Sequence, residues 1–430
     1  MTNRGDPGLA ASDARKALIE LLRDNRDRLI DITRDLVRVP SENPPGDTSD
    51  IAKLAAGLLA GNGIEVEVVT SVPPITNLIA RVRGNGPGRR LVYNGHLDTY
   101  PIGNRPEWSV DPLGGEIRDG RLYGRGAADM KGGIACSILA MLLLSELRHA
   151  WAGEAVITLA GDEETMGTQG TQFLLENYPH AAGDAMITGD AGSPDVLRFG
   201  EKGMVWLQIE AAGKAAHGAH VHLGVNAIER LIAALGEVFK LRELPVRLPA
   251  KVERAIREAA AVSEAISGKG ESETLRRVTV NCGLFHGGVL RNIMPPSAKA
   301  SIDIRLPAGI TVAEIEQRLG KALRAREGIS YGIDRRCEPL WSDPDHEIFK
   351  LLTRAGEEAR GRRPVTNYRV GGSDARLYRQ RGVASIVCGL TPHNMGAPDE
   401  FVDLEELHAV AYMHTLAGFD FLTAPRRENG

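Results

Sequence analysis

Apolar positions recur at helical spacing near the start of the chain and at strand-like spacing further along. Leucine and isoleucine residues recur at helical spacing over the segment 14–37, and Pro40 then ends the pattern, which predicts one amphipathic helix. The pattern then predicts helices over 51–60, 131–147 and 167–177, and strands over 64–69, 77–82, 90–93, 155–159 and 185–188. Strands that alternate with helices are typical of a doubly wound, mostly parallel α/β sheet.

A different order of elements follows residue 199. We expect strands over 204–212, 278–285, 298–306 and 329–337, and helices over 225–239 and 311–326. This βαββαβ order is that of a ferredoxin-like domain. On the strand 298–306 every second residue is apolar, so Asp303 and Arg305 share the opposite face. The pattern gives the stretch between Leu241 and Leu275 no clear role and predicts a loop over 268–273.

The first kind of pattern returns near the end of the chain. Helices are predicted over 347–359 and 373–380 and a strand over 383–387, and Asp403 with Glu406 begins a last helix. The sequence therefore predicts a discontinuous α/β domain, residues 1–199 and 341–430, with an inserted ferredoxin-like domain over 200–340.

Composition and charge narrow the class of protein. The chain has 430 residues, of which 43% are apolar, so it can bury a large core. Its net charge of -4, with both signs dispersed, offers no basic stripe for nucleic acid and favours a small-molecule partner. We expect a cytoplasmic protein without membrane contact, because no apolar run approaches the ~20 residues of a membrane span and the N-terminus lacks a signal-like apolar stretch.

The cysteines do not carry the chemistry of this chain. Cys136, Cys282, Cys337 and Cys388 are far apart in the sequence, and no Cys-x-x-Cys pair occurs. This spacing favours reduced packing residues over disulfides or a thiolate metal site.

Four strand-like runs end in side chains that can bind metal or transfer protons. These runs are LVYNGHLDT, VITLAGDEE, AMITGD and SIVCGLTPH, and a further acid lies in GRGAADMKGG. The candidate residues are His96, Asp98, Asp129, Glu163, Glu164, Asp190 and His393. Each motif alone is as readily explained by a surface pair, a solvated loop or a turn. In a parallel sheet, however, the carboxyl ends of the strands meet at one edge, where crowded acids and imidazoles need a cation. Histidine and carboxylate ligands without cysteine suit zinc, manganese or cobalt, and such a set can hold two ions.

Several segments resemble the metallopeptidase and amidohydrolase family of acetylornithine deacetylase, succinyl-diaminopimelate desuccinylase, aminoacylase and glutamate carboxypeptidase. The matching segments are GHLDT, WSVDPLGGEIRDGRLYGRGAADMKGG, GDEETMG, GKAAHGAHVHLGVNAI, GGVLRNIMP with SIDIRLP, GGSDAR and PDEFV, and together they span nearly the whole chain. The resemblance implies a two-metal catalytic domain with an inserted lid and dimerisation domain. It also implies a cis peptide bond between Asp129 and Met130.

The resemblance distributes the metal ligands between two ions. His96 and Asp190 would hold one ion, Glu164 and a late histidine the other, and Asp129 would bridge them. The family's late histidine lies four or five residues before the glutamate of the PDEFV-like segment, but here that stretch reads MGAP. The nearest substitute is His393, which would need a rearranged loop to reach the ion.

The remaining roles also follow from the resemblance. Asp98 would orient the ring of His96, Glu163 would act as the general base, and the lid residue His217 would stabilise the oxyanion in the neighbouring subunit's site. The residues that would face the substrate are Asn292, Arg305, Gly372 and Ser373. An arginine suits a substrate carboxylate because its fork binds both oxygens. Two plainer interpretations stay open: His217 is one of several loop histidines, and Arg305 is paired with Asp303.

The substrate stays open at this point. The resemblance favours amide hydrolysis of an N-acyl amino acid or a short peptide. Asp190, however, stands where deacylases of the family tend to have glutamate and aminopeptidases tend to have aspartate. Ureido, amidine or activated aromatic amine substrates, some with ammonia release, form the first alternative. The second is a non-catalytic dimeric binding protein, which would have no need of Glu163 as a base.

Overall fold

The computed structural model describes residues 11–61 and 63–425 of the chain. Its helices are α1 (Ala11–Asp24), α2 (Arg26–Arg38), α3 (Ser49–Leu59), α4 (Gly132–Glu146), α5 (Thr171–Asn177), α6 (Ala227–Phe239), α7 (Ala250–Ser267), α8 (Glu271–Arg276), α9 (Val312–Leu323), α10 (Glu347–Arg360), α11 (Ala375–Gln380) and α12 (Leu404–Thr423). Its strands are β1 (Glu65–Val72), β2 (Ile75–Arg83), β3 (Arg90–His96), β4 (Glu116–Arg118), β5 (Arg121–Tyr123), β6 (Glu154–Ala160), β7 (Ala185–Thr188), β8 (Val196–Glu201), β9 (Gly203–Ala212), β10 (Thr279–Gly287), β11 (Ser297–Leu306), β12 (Ile329–Cys337), β13 (Leu340–Trp341), β14 (Val365–Arg369), β15 (Ala384–Val387) and β16 (Phe401–Asp403).

The chain divides into two compact units. Unit 1 comprises residues 1–199, 342–367 and 373–430, and unit 2 comprises residues 200–341 and 368–372.

Unit 1 is built on a large mixed sheet. Its central strands follow the order β6-β3-β7-β15 and are parallel to one another, while β1, β2 and β8 join the sheet in antiparallel orientation. The predicted α/β class with a mostly parallel central sheet is therefore confirmed. The short strands β4, β5 and β16 form a second sheet that the pattern did not predict.

The helix α4 lies in the core of unit 1, where it packs against α12 and the sheet. Residues 132–145 are buried on every side, as expected of a helix that is apolar all round. Ala127–Glu146 is the one segment among the described helices that is long and apolar enough to cross a membrane. Since it is completely buried in the protein, it is weak evidence for a span.

The first predicted helix is interrupted. The structure contains α1 and α2 in place of a single helix over 14–37, and Asn25 separates them. Asn25 has φ −102° and ψ 17°, and its side-chain amide donates to the carbonyl of Leu21. A short polar side chain that bonds the preceding turn competes with helical continuation, which the apolar spacing does not reveal.

Unit 2 contains an antiparallel four-stranded sheet in the order β10-β11-β9-β12. Buried residues alternate along β9 and β11 and pack with α6 and α9 in one apolar core. The stretch without an assigned role forms α7 and α8, and the loop predicted over 268–273 is wrong at its end, because Glu271–Arg276 is helical.

Candidate metal centre

His96 and Asp190 meet because their strands are parallel neighbours. β3 pairs with β7 so that Asn94 lies opposite Thr188, and each candidate ligand follows two residues later. Both side chains are buried. The parallel register therefore brings together two residues that are almost a hundred positions apart.

Asp129 completes a cluster of three at this sheet edge. Among the described residues, His96, Asp129 and Asp190 are the one group of at least three histidines, cysteines or acids whose ligand atoms all lie within 4.8 Å of one another. Nε2 of His96 lies 3.1 Å from Oδ1 of Asp129. The peptide bond from Asp129 to Met130 is cis, which confirms that prediction.

The imidazole of His96 lies between two aspartates. Its Nδ1 is 2.9 Å from the carbonyl oxygen of Asp98 and 3.5 Å from Oδ1 of the same residue. Burial alone would lower the pKa of His96, but the hydrogen bonds with Asp129 and Asp98 raise it well above its usual value. Asp98 therefore orients the ring through its contact with Nδ1, while Nε2 faces Asp129 in the cluster.

Asp98 also holds the loop that carries the two glutamates. Its carboxylate accepts from the backbone amides of Glu163 and Glu164, each at 3.1 Å, and from the side chain of Asn43 at 2.8 Å. Asp98 is completely buried. It therefore links the end of β3 to the loop after β6, although it is not a member of the cluster.

Glu163 and Glu164 occupy surroundings that disfavour negative charge. Burial, followed by repulsion from Asp129, raises the pKa of Glu164 to about 8. Burial also raises the pKa of Glu163 well above its usual value, against the attraction of His96. Oε1 of Glu164 is buried without a hydrogen-bond partner. A divalent cation would relieve the repulsion and give this oxygen a partner, so the residues present fit such an ion.

His393 is not a member of the cluster of His96, Asp129 and Asp190. Its ring stacks on Phe401, with centroids 4.5 Å apart and planes inclined by 3°. Its role as the late ligand stays a prediction.

The predicted substrate residues lie mainly in unit 2. His217 is exposed, and Gly218 in the same loop donates its amide to the carbonyl of Asn292 at 2.7 Å. Nε of Arg305 contacts both carboxylate oxygens of Asp303, at 2.9 and 3.0 Å. Gly372 also belongs to unit 2, whereas Ser373 begins the next segment of unit 1 and is buried.

Arg376 is a site residue that sequence reasoning missed. Its Nη1 lies 3.6 Å from Oε1 of Glu163 and donates to the carbonyl of Ser373 at 2.7 Å, while Nη2 donates to Met166. It lies within GGSDAR, but a segment match does not say which side chain the arginine contacts.

Glu400 is the second missed residue. Its Oε1 accepts from the backbone amides of Ala128 and Asp129, at 2.9 and 3.1 Å, and its Oε2 pairs with Arg125 at 2.6 Å. The glutamate of PDEFV therefore holds the backbone of the central cluster residue.

Comparisons with known proteins agree with this architecture. A model of the peptidase family M20/M25/M40 matches residues 92–417. The chain is 30% identical over 397 residues to succinyl-diaminopimelate desuccinylase of Methylobacterium sp. (strain 4-46), covering 88% of this chain and 92% of that protein.

Solved structures share the fold. An M20 family metallo-carboxypeptidase from Sulfolobus solfataricus superposes with a TM-score of 0.75 at 18% identity, over 91% of this chain and 98% of the other. A dinuclear metal binding peptidase of the M20 family from Bacillus subtilis superposes with a TM-score of 0.64 at 17% identity, over 94% and 100%.

Proposed function

The chain belongs to the peptidase family M20/M25/M40, a family of metal-dependent hydrolases of carbon–nitrogen bonds, and we propose that it cleaves the amide of an N-acyl amino acid or a short peptide with two divalent ions. The desuccinylase relative removes an acyl group, and the carboxypeptidase and dinuclear peptidase share the fold. The single observation that carries the proposal is the buried cluster of His96, Asp129 and Asp190 beside two glutamates of raised pKa.

The chain offers enough ligands for two ions. His96 and Asp190 would hold one ion, Glu164 would hold the other, and Asp129 would bridge both. His393 is the proposed late ligand. Zinc is the metal this set suits best, with manganese or cobalt as alternatives. Bound ions would supply Lewis-acid chemistry, which activates water and polarises the scissile carbonyl.

Glu163 is the proposed general base. Its carboxylate removes a proton from the attacking water while the water oxygen bonds to the carbonyl carbon. It then delivers that proton to the nitrogen as the carbon–nitrogen bond breaks. The guanidinium of Arg376, 3.6 Å from Oε1, is placed to fix the direction of this carboxylate. Asp98 supports the same loop through its bonds to the backbone.

The proposal also gives roles to residues of unit 2. His217 would donate to the developing oxyanion in the site of a second copy, which makes the working unit a homodimer. Arg305 would bind a substrate carboxylate, with Asn292, Gly372 and Ser373 as further substrate contacts. A cytoplasmic location is part of the same proposal.

A pair of neighbouring substitutions tests the assignment of base and ligand. Glu163→Gln should keep the metal content of wild type and lower kcat by about 10²–10⁴-fold, because a base acts on the proton in the transition state. Glu164→Gln should lose about one ion per subunit, since it removes a charged ligand. Inductively coupled plasma mass spectrometry after dialysis gives the metal content. If Glu163→Gln lost metal while Glu164→Gln kept its metal and lost turnover, Glu163 would be the ligand and Glu164 the base.

A substrate panel tests the reaction class. Metal-loaded protein is incubated with N-acyl amino acids, dipeptides, ureido acids and aryl amines, and both free amine and ammonia are measured. Amine release from the first two classes supports amide hydrolysis. Ammonia release alone would favour an aminohydrolase, and metal-dependent turnover of none of the substrates would favour a binding protein.

A further inference from the structure

The stretch between Leu241 and Leu275, which had no assigned role, leads directly into the sheet of unit 2. It forms α7 and α8, and β10 begins three residues after α8 ends. β10 pairs with β11 so that Thr279 lies directly opposite Arg305, the proposed contact of a substrate carboxylate. The stretch therefore ends at the part of the sheet where we propose that this carboxylate binds.

Arg277 shares a face of the sheet with Arg305. Val278 and Val280 are buried in the apolar core of unit 2. Arg277 has extended backbone, with φ −126° and ψ 159°, so it alternates with these valines and faces away from the core, as Thr279 does. Arg305 lies on the same side, because its neighbours along β11 are buried in that core. Diagonal neighbours across an antiparallel pair are ~7–8 Å apart, which two long side chains can span.

Lys202 holds this corner of the sheet together. It is 3% exposed, and its ammonium group donates to the carbonyls of Thr274 and Arg277 at 2.9 and 2.8 Å. The same group donates to the hydroxyl of Thr279 at 3.3 Å. Burial, followed by repulsion from Arg305 and Arg277, lowers the pKa of Lys202 to about 7, which agrees with three cationic side chains in one place. The end of α8 and the start of β10 are therefore fixed to each other, and the backbone of Arg277 has a defined position.

Each of the two arginines is paired with one partly exposed acid. Nη1 of Arg277 lies 3.0 Å from Oε1 of Glu273, and both side chains are more than half exposed. Arg305 is paired in the same way with Asp303. Exposed pairs of this kind contribute little to stability, so a substrate carboxylate can replace the acid at small cost. The face therefore offers two guanidinium forks, each able to bind both oxygens of a carboxylate.

We propose that Arg277 is a specificity-determining residue that binds a second carboxylate of the substrate, while Arg305 binds the first. The preferred substrate is then an N-acyl amino acid with two carboxylates, the second of which lies on the amino acid or on the acyl group. The inference rests on the proposed amide hydrolysis and on the role of Arg305 in it. It gives α7 and α8 the function of placing Arg277.

Two matched pairs of substrates measure this preference. N-acetylglutamate and N-acetylglutamine differ by a second carboxylate on the amino acid, and N-succinylalanine and N-succinamoylalanine differ by one on the acyl group. Steady-state kcat and KM of the metal-loaded enzyme are measured for all four compounds. Wild type should prefer the diacid by about tenfold or more in at least one pair, as expected of a hydrogen bond between charged groups.

Arg277→Gln removes the fork and should raise KM for that diacid by about tenfold with kcat unchanged, because the contact is made equally in the ground and transition states. KM for the neutral compound of the pair should stay unchanged. Arg277→Lys keeps the charge and should restore part of the preference. The matched control is Arg276→Gln. Arg276 belongs to the same stretch, but its Nη2 lies 3.0 Å from Glu253 on α7, so this variant should keep the wild-type preference.

Three results would overturn the inference and leave the proposed function intact. The first is an Arg277→Gln variant that keeps the diacid preference of wild type. The second is a wild type that cleaves the neutral compounds of both pairs as readily as the diacids. The third is an equal loss of preference in Arg276→Gln, which would trace the effect to the structure of α8. Absence of metal-dependent turnover of all four compounds and of dipeptides would instead refute the proposed amide hydrolysis, and the inference with it.

Discussion

Glu400→Gln should destabilise the protein and weaken metal binding at the same time. Glu400 and Arg125 are each about 2% exposed or less, and Glu400 also accepts two backbone amides, one of them from Asp129. The glutamine side chain lacks the negative charge of the glutamate but has nearly the same size. Its NH₂ group then faces either the guanidinium of Arg125 or the two backbone donors, so one set of hydrogen bonds is lost in either orientation.

The magnitude follows from the burial of the pair. Removing one partner of a buried ion pair costs about 3–5 kcal/mol, because the remaining charge has no counterion. Burial raises the pKa of Glu400 although the charge of Arg125 lowers it. Part of the attraction between the two side chains is therefore used to offset the desolvation of the carboxylate. The retained carbonyl of glutamine also preserves some contacts. We therefore expect about 3 kcal/mol, a large share of the roughly 5–15 kcal/mol typical of folded proteins.

Urea unfolding of metal-free protein provides the assay, since bound ions would add their own stabilisation to the folded state. Circular dichroism follows the transition, and metal content after zinc loading is measured in parallel. Arg125→Met and the double variant complete a cycle in which the double variant should lose less than the sum of the single losses. A cost below about 1 kcal/mol for Glu400→Gln, with normal metal content, would refute the reasoning.

Two further predictions test a distant ion cluster and the dimer. Burial alone would raise the pKa of Asp195, but hydrogen bonds from Arg362 and Arg360 hold it below its usual value. This stabilisation is present above the unfolded-state pKa, about 3.9, and is lost as pH falls through the lower folded-state value. In urea unfolding the stability gap between wild type and Asp195→Asn should therefore narrow below about pH 4, and a gap independent of pH would contradict the assignment. Inactive Glu163→Ala and His217→Ala proteins, mixed so that subunits exchange, should recover about a quarter of wild-type activity, because half of the dimers carry one complete site. Exchange without recovery would place His217 in its own chain or outside the mechanism.

The strand-end ligands were predictable because local pattern and sheet topology agree. Apolar runs reveal β3, β6 and β7, and parallel neighbours present the residues after them at one edge. His96, Asp190 and the two glutamates after β6 could therefore be grouped from the sequence. All of these residues lie at the end of a strand or just after it, and the local apolar pattern of the sequence reveals where each strand ends.

The contacts of Glu400 and Arg376 left no such pattern, because their partners are far away in the sequence. The carboxylate of Glu400 accepts from the amide of Asp129, which lies 271 positions earlier in the chain. Arg376, in the first turn of α11, lies 3.6 Å from the carboxylate of Glu163. A hydrogen bond and an ion pair of this kind depend on the folded arrangement of several segments. The break at Asn25 was missed for a different reason, since a side-chain bond to the preceding turn competes locally with a helix that the apolar spacing supports.

The ion pair between Arg305 and Asp303 is compatible with the proposed role of Arg305 in substrate binding. The two side chains are 27% and 34% exposed, and exposed pairs contribute about 0–1 kcal/mol. A substrate carboxylate can therefore replace Asp303 at small cost, because it offers the same two oxygens to the guanidinium. Asp303 would keep a donor, since the indole of Trp206 lies 3.2 Å from its Oδ1. Without substrate, Asp303 holds the arginine in one orientation, which lowers the entropy lost when the carboxylate binds.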